Sequence, residues 1–143
     1  MHRLIPNNRI FFSQPGRCAT IVQDPKHRVW GVAYKIPRDK IEQVKENLDA
    51  REKGYKKIQV NFYPRDNPEM SIVITLYVVI PDSPYYGPGD ENEIAQIIYS
   101  AQGKCGKNIE YLLNTAEYVR RHIPEDDDGH LFLLENLVKQ AGL

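Results

Sequence analysis

Residues 71–80 read SIVITLYVVI, an unbroken apolar run rich in β-branched side chains. The run is too short to cross a bilayer as a helix, which takes about 20 residues. Its Ile, Val and Thr side chains suit a pleated surface better than a helix. It therefore predicts a central strand over 72–80, covered on both faces and stopped by Pro81. Upstream, Ile58, Val60 and Phe62 alternate with Gln59, Asn61 and Tyr63, the period-2 pattern of a half-buried strand. Residues 19–23 (ATIVQ) and 29–36 (VWGVAYKI) read as two more strands, joined by a polar, proline-containing turn as a hairpin.

Helical periods take over in the second half. Asp39 and Glu42 have the spacing of a capping box for a helix with Ile41, Val44 and Leu48 on one face. Asp90 and Glu93 repeat that spacing before a stripe of Ile94, Ile97, Ile98 and Ala101 that stops at Gly103. A third helix carries Ile109, Leu112, Leu113, Ala116 and Val119 and closes at Pro124. A fourth, capped by Asp128, carries Leu131, Leu134, Leu137, Val138 and Ala141. Strands before helices make the chain α+β, with helices packed on a mainly antiparallel sheet. Its 143 residues fit one domain.

Nineteen Lys and Arg balance nineteen Asp and Glu, so the chain lacks the basic field that nucleic-acid binding displays. The first residues show neither an apolar signal core nor a cleavage site, and Cys18 and Cys105 form no paired framework. A soluble, cytosolic protein with reduced thiols is expected, without membrane or nucleic-acid partners. The run at 125–128 (EDDD) reads as a solvated loop before a helix start, since adjacent carboxylates rarely converge on one metal. His2, His27, His122 and His130 are scattered and receive no role. There is no metalloprotease, Walker, dinucleotide-binding or nucleophile-elbow motif. The loop 103–107 (GKCGK) reads either as a loose phosphate cradle or as a turn that caps the next helix through Asn108.

The most pointed detail lies in LDAREKGYKKIQVNFYP, residues 48–64, where a helix end, a one-glycine turn and a strand start follow one another. Arg51 and Lys53 suit the negative end of a helix dipole, whereas Glu52 does not, by up to about 1 kcal/mol. Two readings stand side by side. Glu52 is a surface carboxylate paired with a neighbouring cation, or a partly shielded carboxylate with a raised pKa that serves as a general base.

Six stretches then fall in order: PGR at 15–17, VWGVAYKIP at 29–37, LDAREKGY at 48–55, PYYGP at 84–88, GKCGKNIEYL at 103–112 and HLFLLENLVK at 130–139. Together they resemble the ChaC-type, glutathione-specific γ-glutamylcyclotransferases, over nearly all the chain from Pro15 onward. The resemblance implies a γ-glutamylcyclotransferase-like fold, a mixed sheet closing into a partial barrel, and chemistry that needs no cofactor or metal; a monomer is expected. It implies cleavage of glutathione to 5-oxoproline and cysteinylglycine. Glu52 matches the family's catalytic glutamate in R-E-K-G-G-Y, which favours the general base. Tyr85 matches the family tyrosine, and with Asn108 it is expected to shape the substrate pocket, while Arg51 orients Glu52 or closes the helix. The helix start after Lys107 is expected to attract the glycine carboxylate of glutathione.

The chain departs from the family in one large respect. Residues 1–14 match nothing in the first strand and glycine-rich G-Y-G-S-L loop, which implies a bare sheet edge and a lost substrate grip. Gly54 stands alone where the family has two glycines, PYYGP is shortened, and Cys105 replaces a serine. The other reading from the sequence is thus a catalytically impaired short isoform that acts as a non-catalytic binding or interaction protein.

Overall fold

The computed structural model describes residues 2–7, 16–22, 24, 28–52, 54–80, 82, 87, 89–103, 106–126 and 128–142, with 2–7 described by backbone alone. The chain divides into two compact units, Met1–Trp30 with Pro84–Leu143, and Gly31–Ser83.

In the first unit, β1 (His2–Asn7) and β2 (Gly16–Ile21) form an antiparallel pair with Pro6 opposite Arg17 and Leu4 opposite Ala19. The sequence offered no pattern for residues 2–7, yet this strand pairs along the whole of β2. The edge expected to be bare is therefore covered. Three helices follow: α2 (Glu91–Ser100), α3 (Asn108–His122) and α4 (Gly129–Ala141). A small hairpin of β5 (Gln102–Gly103) and β6 (Gly106–Lys107) joins α2 to α3. The expected helical stripes meet as one core, in which Ile98, Leu112, Leu134 and Val138 are fully buried; the exception is Ala141, in the last turn of α4, which is exposed. Asp90 caps α2 by accepting from the N–H groups of Asn92 and Glu93, and Asp128 caps α4 by accepting from that of Leu131. Each satisfies donors that the first helical turn leaves without a partner.

The second unit holds α1 (Ile41–Arg51), β3 (Lys56–Phe62) and β4 (Ile72–Val78). Ile41, Val44 and Leu48 make the less exposed face of α1, and Ile58, Val60 and Phe62 that of β3, as their spacings predict. Three expectations fail here. Asp39 does not cap α1: it sits inside a 3-10 turn, Arg38–Lys40, and no side-chain cap precedes the helix. Residues 29–36 form no strand, and Val32 and Tyr34 are exposed, so composition there lacks a ladder to join. Among the described residues β4 pairs with β3 alone, leaving Ile72 and Val73 exposed, so it is not a strand covered on both faces. Only its last residue, Val78, and Val79 just beyond it are buried.

Candidate active site

Glu52 is the residue that ends α1. Its backbone N–H donates to the Leu48 carbonyl at 2.7 Å, and its own carbonyl accepts from the Tyr55 N–H at 3.1 Å. Gly54 turns the chain with φ 90°, a conformation that a Cβ would oppose. The spacing R-E-x-G-Y thus fixes where the Glu52 side chain leaves the backbone. That side chain is only 17% exposed, and its Oε1 accepts from Arg51 Nε at 2.7 Å. The carboxylate is thus paired with its neighbour and largely withdrawn from water. No partner holds Oε2 among the described residues, which leaves one oxygen able to take a proton.

Asn108 opens α3, but it is not the helix cap: that position falls to Lys107, and no side chain caps the helix. The Asn108 amide grips the backbone of Arg17. Its Oδ1 accepts from the Arg17 N–H at 2.6 Å, and its Nδ2 donates to the Arg17 carbonyl at 2.8 Å. One turn on, Tyr111 Oη accepts from the Ala19 N–H at 3.2 Å and lies 3.6 Å from Cys18 Sγ. Alternate residues of a strand direct their N–H groups to the same edge. Side chains of α3 therefore stand in for a third strand along β2. Pro6, opposite Arg17, has no N–H to offer on the other edge, which fits this division. A Cβ on Gly16 would come 2.7 Å from Asn108 Oδ1, so glycine is required for the approach.

The Arg17 guanidinium is buried and donates to the Gly87 carbonyl, tying β2 to the loop before α2. Burial lowers its pKa, and the Glu93 carboxylate acts in the opposite direction. Neither Arg17 nor Tyr111 was singled out from the sequence, although both lie in the motifs PGR and NIEYL. For Tyr111 the available signal was its i, i+3 spacing from Asn108 on one helix. Tyr85, the remaining sequence candidate, lies outside the described residues, as do Lys104 and Cys105. Among the described residues no three His, Cys, Asp or Glu side chains converge as metal ligands.

A sequence profile described as ChaC-like protein matches residues 6–141. The chain belongs to the ChaC-like family. Within it, the zebrafish (Danio rerio) glutathione-specific γ-glutamylcyclotransferase 1 is 38% identical over 85% of this chain and 64% of its own length. The human protein of that name is 35% identical over 87% of this chain and 58% of its own. The fission yeast (Schizosaccharomyces pombe) glutathione-specific γ-glutamylcyclotransferase is 36% identical over 78% and 57%. The chain thus spans little more than half the length of these relatives. The ChaC-like fold is shared with the crystal structure of a yeast γ-glutamyl cyclotransferase specific to glutathione, at a TM-score of 0.73 and 24% identity, over 89% of this chain and 78% of that one.

Proposed function

We propose that this chain is a glutathione-specific γ-glutamylcyclotransferase in which Glu52 is the general acid and base. The observation that carries the reading is the shielded Glu52 carboxylate at the α1 end, held by Arg51 through one oxygen, with no partner on the other among the described residues. The glutathione-specific names of its ChaC-like relatives support the same reaction.

In this reaction the α-amine of the γ-glutamyl unit attacks its own γ-carbonyl carbon. The new C–N bond closes a five-membered ring, and the bond to the cysteinyl nitrogen breaks, so 5-oxoproline and cysteinylglycine leave without water being consumed. Free α-amines titrate near about 8, so most are protonated at neutral pH and a base is needed. Glu52 takes the proton from the amine and returns it to the departing nitrogen. Because the attack is intramolecular, holding the substrate in a folded geometry supplies much of the remaining acceleration. Arg51 orients the carboxylate, and Tyr85 and Asn108 are the further residues assigned to substrate binding.

The family match runs unbroken across both units, which supports reading residues 1–143 as one functional domain. The balanced charge supports a protein without nucleic-acid partners, and no helix among the described residues is long and apolar enough to cross a membrane. We place it in the cytosol as a monomer. The test is 5-oxoproline release from glutathione by the 143-residue chain beside Glu52→Gln. Turnover that falls at least about a hundredfold in the variant is expected for loss of an acid–base group. A chain that binds glutathione but releases no 5-oxoproline would instead be a non-catalytic binding protein.

A further inference from the structure

Asp49 poses the same question that Glu52 does, since it too places a negative charge in the last turn of a helix. Here the structure answers through two other elements. Lys57, on β3, brings Nζ to 2.7 Å from Asp49 Oδ1 and 3.1 Å from Oδ2. Tyr77, on β4, donates its hydroxyl to Asp49 Oδ1 at 2.6 Å. Lys57 and Tyr77 are direct partners across the ladder, and the ammonium lies 5.4 Å from the Tyr77 ring centroid. These contacts hold the Asp49 carboxyl below its usual range, chiefly through Lys57 and then Tyr77, and Asp49 in turn pushes the Tyr77 phenol up.

An exposed ion pair alone contributes little. This one closes a short bracket around one stretch of chain, residues 50–56, that contains the whole Glu52 turn. Within the bracket lie the Tyr55 to Glu52 backbone bond and the left-handed Gly54, and the Glu52 N–H reaches back past Asp49 to the Leu48 carbonyl. The carboxylate accepts from an ammonium and a phenol together, and charge-assisted bonds of this kind are stronger and more directional than neutral ones.

We propose that Asp49, Lys57 and Tyr77 form a clasp that positions the Glu52 turn, so that the three act on catalysis through the placement of the Glu52 carboxylate. This rests on the reading of Glu52 as the acid–base group.

The experiment compares Asp49→Asn and Tyr77→Phe with the unaltered 143-residue chain and with Glu52→Gln. It measures kcat and KM for glutathione, and hydrogen–deuterium exchange at the Glu52 and Tyr55 amides. A misplaced reacting group slows chemistry steeply, so kcat is expected to fall about tenfold in both clasp variants with KM unchanged. Exchange at the two turn amides should quicken while that of α2, α3 and α4 stays constant. Unchanged kcat and unchanged exchange would overturn the clasp, and so would a raised KM with kcat intact, which would make these residues substrate contacts. Tyr77→Phe removes a single hydroxyl and keeps the test readable if Asp49→Asn does not fold. Should Glu52→Gln retain full turnover, the acid–base assignment falls, while the exchange data still decide whether the clasp holds the turn.

Discussion

Asn108 has both ends of its amide engaged by one residue, the N–H and carbonyl of Arg17. Removing the amide leaves two backbone groups without partners, at about 1–3 kcal/mol. Asn108→Ala is accordingly expected to lower the unfolding free energy by that amount, measured by urea denaturation followed by fluorescence or circular dichroism. Asn108→Asp keeps acceptance from the Arg17 N–H but sets a carboxylate oxygen against the Arg17 carbonyl, and is expected to cost at least as much. At this scale the sequence was informative where chemistry is local. Glu52 stood out because a carboxylate at a helix end, followed by glycine, is a local contradiction, and the Arg51 pair and the Gly54 conformation resolve it within three residues. Arg17 could not stand out, because its partners Gly87 and Asn108 are distant in sequence.

Among the elements, α2 and α4 have caps that the sequence announced. Asp90→Ala removes acceptance from two N–H groups and is expected to cost about 1 kcal/mol, read from denaturant unfolding, whereas Asp39→Ala should cost almost nothing because Asp39 caps no helix. The helical stripes were legible because their period reports burial directly, and α2, α3 and α4 bury most of the expected residues against one another, while Ala141 at the end of α4 is exposed. Strand context was not legible. Composition marks 72–78 as β without saying how many neighbours it has, and β4 has one among the described residues. Likewise 29–36 has strand composition and no ladder, while β1 forms around a proline.

For the whole molecule, acid is the condition to which its charge arrangement is most sensitive. Glu135 is buried on the core side of α4: burial would raise its pKa, but hydrogen bonds from Lys139 and Arg120 outweigh this and hold it low. A depressed folded pKa means that the unfolded chain binds the proton more readily. Stability from Glu135, and likewise from Asp49, is therefore complete above the ordinary carboxylate pKa and is lost as the pH falls through the lowered folded value. Thermal unfolding followed from neutral pH downward should show a falling Tm, and Glu135→Gln should flatten part of that slope while lowering the neutral-pH Tm. The grip of Asn108 on Arg17 also has a consequence for synthesis. It joins residues 91 apart, so β2 leaves the ribosome well before the side chain that completes its second edge. At about 5–20 residues per second that interval is roughly 5–18 s, during which a nascent chain carries an incomplete strand and has most need of a chaperone.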